Sequence, residues 1–166
     1  MWYRTKDAAY ISVGMDYQQC TVFVSTSFGQ NLLTKYLKVA DEKYEKGDYY
    51  YALELYSKAM EIDSNTIDIL WKVAEAHRAY KDYRKAEYYY AKVYDREMGV
   101  MYPSSLLQLG LMQKQNGKYD AAIETFKRAK KKYSRGKRDY LYFKAKRELE
   151  STLWAKSMAD IYEKET

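Results

Sequence analysis

His77 is the only histidine among 166 residues, and Cys20 is the only cysteine. An imidazole that moves protons needs an orienting carboxylate, and a thiol that attacks a carbonyl needs a base to ionise it. Neither residue has such a partner at a recognisable spacing. His77 lies on the apolar stripe of a helix, which suits a packing role, and Cys20 reads as a small apolar or free thiol residue outside the repeating part of the chain. One cysteine cannot close an internal disulfide, and one histidine with one cysteine falls short of a zinc ligand set. Gly110 and Gly117 fit neither a GxGxxG turn nor a Walker loop. Acidic neighbours such as Asp41 with Glu42, or Glu61 with Asp63, have the spacing of solvated helix faces and caps. The expectation is a non-enzyme without metal or cofactor, so the chemistry to look for is binding.

Two groups of residues could bind. The first is the run at 127–138, KRAKKKYSRGKR, where Lys127, Arg128, Lys130, Lys131, Lys132, Arg135, Lys137 and Arg138 bring eight cations and no acid. It accounts for the net charge of +6, because the other 21 basic residues are outnumbered by 23 acidic ones. Such a cluster could contact nucleic-acid phosphates or anionic lipid head groups. The competing reading is a solvated helix end, with Lys130, Lys131 and Lys132 at the negative pole of the helix dipole and Gly136 terminating it. The solvated reading is favoured, since no RNP, zinc-finger or helix-turn-helix pattern accompanies the run and Tyr133 is its only aromatic. The second group centres on Trp71 and depends on the elements that carry it.

Those elements repeat. Gly47-Asp48-Tyr49, Lys81-Asp82-Tyr83 and Gly117-Lys118-Tyr119 place their tyrosines 34 and then 36 residues apart. Seven residues after each comes another aromatic (Tyr56, Tyr90, Phe126), and three later a small or branched apolar residue (Ala59, Val93, Ala129). Two helical turns separate the aromatics, so they share a face. Upstream run three further stripes: Tyr36, Val39, Ala40, Tyr44; Leu70, Val73, Ala74, His77; and Leu106, Leu109, Gly110, Gln113. Each unit is therefore a helix, a tight turn and a second helix, with Asp48 and Asp82 as N-caps and Pro103 at a first-turn position of the third unit. A lone hairpin exposes an apolar face, so neighbours must stack and the ends need covering. Tyr142, Ala145, Leu149 and Leu153 suit a C-terminal capping helix at 139–163, and equally the first half of a fourth repeat.

At these residues the sequence resembles the tetratricopeptide repeat (TPR) family, with repeats at about 33–66, 67–100 and 103–136. The resemblance implies an all-α superhelix of three helix-turn-helix hairpins plus the capping helix, spanning 32–163. It implies a concave groove lined by the first helix of each hairpin: Thr34, Leu37, Asp41, Glu45 and Lys46; Asp68, Trp71, Glu75, Arg78 and Ala79; Ser104, Leu107, Leu111, Lys114 and Gln115. Co-chaperones of the family hold a C-terminal carboxylate with Lys, Asn and Arg at positions occupied here by Leu37, Asp41, Trp71, Glu75, Leu107 and Leu111, so chaperone tails are disfavoured. The expected partner is a protein or peptide segment, with Leu37, Trp71, Leu107 and Leu111 as apolar contacts, Asp41 and Glu75 pairing its cations, and Arg78 and Lys114 on the same wall. The alternative is a nucleic-acid-associated protein using the 127–138 run. The phrases LLTKYLKVADEKYEKGDYYYALELYSKAMEID and LGLMQKQNGKYDAAIETFKRAKKKY are most similar to the N-terminal repeat regions of bacterial OmpA-like cell-envelope proteins, some linked to type IX secretion. That similarity implies a periplasmic or envelope setting.

Residues 1–31 fall outside the repeats and are expected to form an N-terminal arm. Within it TVFVSTSFGQ looks like the end of a secretory signal, but Asp16, Gln18 and Gln19 interrupt the apolar core such a signal requires; without a signal the setting would be cytoplasmic. A mean hydropathy of −0.72 and the lack of any uncharged apolar run of about 18 residues argue against a membrane-spanning helix. The 21 tyrosines are mostly accounted for by the repeats. Tyr50, Tyr51, Tyr88 and Tyr89 fall off the signature and are expected on the convex side or against a neighbouring unit.

Overall fold

The structure, a computed structural model, describes residues 2–4, 10–12, 17–134 and 139–165. Two three-residue strands, β1 (Trp2–Arg4) and β2 (Tyr10–Ser12), pair antiparallel with Tyr3 opposite Ile11. Seven helices follow: α1 (Tyr17–Glu45), α2 (Tyr49–Ile62), α3 (Ile67–Ala79), α4 (Tyr83–Glu97), α5 (Ser105–Gln115), α6 (Tyr119–Ser134) and α7 (Asp139–Glu165). The helices form the expected stack: α1–α2, α3–α4 and α5–α6 are hairpins, and α7 packs chiefly on α6. The boundary expected after residue 31 falls inside α1, which is continuous from Tyr17, so TVFVSTSFGQ is helical backbone joined to the first repeat.

The three hairpin turns are built alike. Gly47, Lys81 and Gly117 take φ of 79°, 66° and 73°, the left-handed region. In each, the residue after the turn donates its N–H to a carbonyl five residues back: Asp48 to Lys43, Asp82 to His77 and Lys118 to Gln113, all at 2.9 Å. This is the helix-ending arrangement that favours glycine, and Lys81 adopts it against the steric preference of a side chain. Asp82 caps α4 through the Lys85 N–H at 3.2 Å. Asp48 does not cap α2; its carboxylate is drawn to Lys43 Nζ at 3.2 Å instead. Pro103 lies two residues before α5 rather than in its first turn, and its carbonyl accepts from the Tyr133 hydroxyl at 2.8 Å.

The periodic residues make the core. Tyr56, Tyr90 and Phe126 are buried, as are Ala59, Val93 and Ala129 one turn on. The small residue at the centre of the third upstream stripe has a steric reason. A Cβ on Gly110 would lie 2.6 Å from the Phe126 ring, so α5 and α6 approach closely only because that atom is missing. One cluster joins α3 to α6 with Ala145 of α7, and Leu141, Tyr142 and Leu149 of α7 pack against it. A second joins α1, α2 and α3 around Ala40, Tyr56 and Val73, with Leu37 and Tyr44 half-buried beside it. No helix among the described residues is long and apolar enough to cross a membrane.

Candidate functional site

The first helices α1 and α3 leave an open cavity of about 470 Å³ between them. Its apolar floor is Trp71, Tyr56 and Tyr44, and its rim is Asp41, Glu45, Asp68, Glu75 and Lys72, with Tyr102 closing one end. Trp71 comes from the middle of α3, half-buried, with Tyr90 edge-on at 5.4 Å and Tyr102 stacked parallel at 4.4 Å. The indole is thus fixed from two sides, which lowers the entropy lost when a partner packs against it.

Tyr102 reaches the cavity because of the two extra residues before the third repeat. Met98 and Gly99 turn the chain with φ of 52° and 76°. The loop then folds back on Glu97, a buried carboxylate whose Oε2 accepts the N–H groups of Met101 at 2.6 Å and Tyr102 at 3.3 Å, while Oε1 accepts from Ser105 Oγ at 3.3 Å. A buried carboxylate stands only when such donors replace its water. The Tyr102 hydroxyl then donates to Asp68 at 2.6 Å. The 36-residue spacing before the third repeat, two longer than the first, is the sequence signal for this residue.

The carboxylates are held as well as placed. Asp41 accepts from the Tyr56 hydroxyl and from Lys72 Nζ, both at 2.6 Å. Lys72 also lies 3.8 Å from Asp68. Glu75 accepts from the Tyr90 hydroxyl and from Arg78, whose Nε donates to the same hydroxyl at 3.1 Å. Burial, reinforced by the adjacent carboxylate, pushes the Tyr56, Tyr90 and Tyr102 hydroxyls far above their ordinary value, so they stay protonated donors. Asp41 and Glu75 are therefore engaged within the chain rather than waiting for a partner's cations. Glu45 is exposed, and its side chain pairs with no described residue. Even so the rim is acidic, with four carboxylates against Lys72 and the neighbouring Arg78.

The remaining groove residues distribute unevenly. In the first hairpin Tyr44 lines the cavity beside the expected Asp41 and Glu45, while Lys46 lies past the end of α1. Leu37 packs into the α1–α3 cluster. In the third hairpin the expected contacts are covered. Leu107 is 1% exposed, Leu111 is half-buried against the cluster that α7 joins, and Lys114 Nζ donates to Ser151 Oγ at 2.6 Å and Glu148 at 3.2 Å of α7. Leu107 and Leu111 are core contacts of that cluster, and Lys114 is a helix-to-helix contact to α7.

In the basic run, Lys127 pairs with Glu124 at 2.7 Å, and Arg128 and Lys132 lie over the Tyr94 ring at 5.7 and 5.0 Å. Lys130 is half-buried and Lys131 exposed. Tyr133, its only aromatic, is 1% exposed and cannot stack on a base. Arg135, Gly136, Lys137 and Arg138 lie outside the described residues. His77 is buried and stacked on Tyr89 at 5.6 Å, with Asp82 at 3.5 Å outside hydrogen-bond geometry. Burial lowers its pKa, against the pull of Asp82. Tyr50, Tyr51 and Tyr88 are exposed, as their off-signature positions imply.

Solved structures of similar shape bear on the fold. The Sgt2 TPR domain from Aspergillus fumigatus is 22% identical with a TM-score of 0.60, covering 77% of this chain and 81% of that one. The Yersinia enterocolitica type III secretion translocator chaperone SycD is 17% identical with a TM-score of 0.63, covering 75% and 86%. PcrH in complex with the chaperone binding region of PopD is 16% identical with a TM-score of 0.65, covering 76% and 95%. No family model matches the sequence, and no curated protein does. With the left-handed turns, the buried aromatics and the stacked hairpins, these likenesses identify the fold as a TPR-like helical-hairpin stack.

Proposed function

We propose that the protein is a non-catalytic interaction scaffold that docks a cation-bearing peptide segment of a partner in the groove between α1 and α3. The observation that carries this reading is Trp71, preset by Tyr90 and Tyr102 at the floor of an open cavity whose rim is acidic. An apolar side chain of the segment would cover the indole, and a Lys or Arg would meet Glu45 and Asp68 Oδ2. PcrH bound to the chaperone binding regions of PopD and PopB, and a TPR of Spaghetti bound to the HSP90 peptide SRMEEVD, support peptide docking as a use of this shape. That last peptide is acidic, and the present rim would repel it, so a chaperone tail is not the ligand proposed here. The similarity to OmpA-like envelope proteins supports a bacterial cell-envelope or secretion assembly as the setting.

A panel of fluorescently labelled peptides, each carrying a central Leu or Met flanked by Lys or Arg, by Asp or Glu, or by Ser, tests the reading. Cationic peptides should bind best, and Trp71→Ala should weaken them about tenfold or more. Equal binding of the acidic set, or no response to Trp71→Ala, overturns it. The rival use of the 127–138 run predicts instead an oligonucleotide affinity that falls steeply with salt.

A further inference from the structure

The inner face of α7 is accounted for: Leu141, Tyr142, Ala145, Leu149 and Thr152 are buried or half-buried toward the stack. Its outer face is not. A helix face that borders water in a helical-repeat stack is ordinarily polar. Here Phe143 and Trp154 are 63% and 67% exposed on that face. Between them stand Arg147 and Glu150, both exposed, and neither side chain pairs with another described residue. The spacing 143, 147, 150, 154 alternates four and three residues, the repeat that keeps one stripe facing a partner helix. Tyr140 and Ile161, also exposed, extend the stripe at both ends.

The order along this stripe is aromatic, cation, anion, aromatic. Turned about a two-fold axis between Arg147 and Glu150, it is its own complement. An antiparallel copy brings Phe143 of each helix against Trp154 of the other, and Arg147 of each against Glu150 of the other. A parallel copy would instead put Arg147 on Arg147 and Glu150 on Glu150, which like-charge repulsion opposes. We propose that two copies of the chain associate through the outer face of α7, antiparallel, in a two-fold symmetric pair with this register. Self-complementarity of one patch is what a two-fold interface requires, and it selects a second copy over an unrelated helix.

Sedimentation velocity on the full chain across about 1 to 100 µM reads the association. The wild type should show a concentration-dependent dimer. Trp154→Glu and Phe143→Glu should be monomeric at every concentration. Arg147→Glu should raise the dimer dissociation constant about tenfold or more, because two attractions become two repulsions, and adding Glu150→Arg should restore it. Far-UV circular dichroism on each variant verifies that the helices are intact; the exposed positions make this the expected result. A monomeric wild type overturns the proposal, and so does a dimer that survives Trp154→Glu. Failure of the exchanged pair, folded as judged by circular dichroism, to recover the association would overturn the register.

Discussion

The second and third hairpins carry the same repeat at matching positions, yet one presents a groove and the other does not. Position five is Trp71 in one and Leu107 in the other; position nine is Glu75 and Leu111; position twelve is Arg78 and Lys114. In the second hairpin Trp71 and Glu75 line an open cavity, with Arg78 paired to Glu75 beside it. In the third, Leu107 is buried and Lys114 is tied to Glu148 and Ser151 across the interface with α7. Both hairpins are followed by a further helix, α5 on α4 and α7 on α6, so the difference lies in what meets these positions. Leu107 and Leu111 join the cluster that runs from α3 to α7, and α7 engages Lys114, whereas Trp71 and Glu75 stay at an open cavity.

The sharpest way to break this contrast is Leu107→Ala. The change empties a buried site and should cost about 3 kcal/mol, readable as a lower denaturant midpoint. A loss under about 1 kcal/mol would mean that the site is not closed. Next comes Lys114→Met, which removes the contacts to Ser151 and to Glu148, whose side chain is only 18% exposed. It should cost about 1 kcal/mol, less than Leu107→Ala because both charges keep some water.

The smallest effect separates His77 from Gln113, which share a position in the two hairpins and each bury an atom without a partner among the described residues. Burial holds the His77 pKa below its ordinary 6.5, so the neutral folded form is favoured. That contribution is present above the ordinary value and is lost as pH falls through the lowered one. Denaturant midpoints measured from about pH 7.5 down to 5 should decline in the wild type more steeply than in His77→Gln, and parallel curves would remove His77 from the account.

Much of this was legible in residue types alone. The turn positions 47, 81 and 117, the seven-residue aromatic spacing and the small residue opposite Phe126 all follow from local sterics and helical period, and each appears in the structure. What could not be read were contacts between distant segments. Asp41 and Lys72 are 31 residues apart, and Tyr102 and Asp68 are 34 apart, so spacing along one helix gave no hint that the groove's carboxylates were already engaged. Lys46, expected on the groove wall, falls one residue past the end of α1, and Tyr44, two residues earlier, lines the cavity in its place. The contact of α7 with Lys114 depends on where a 27-residue helix lies after the 135–138 segment, which no periodicity encodes.

The parallel stack of Trp71 on Tyr102 at 4.4 Å gives the molecule an internal optical probe. An indole at an open cavity responds in emission wavelength when water beside it is displaced, and here its nearest neighbour is a ring delivered by a loop. Replacing Trp2 and the exposed Trp154 with Phe would leave Trp71 as the sole indole of the three. The fluorescence that remained would then follow groove occupancy and the docking of the Glu97 loop, two events that a single titration could separate by their different dependence on ligand concentration.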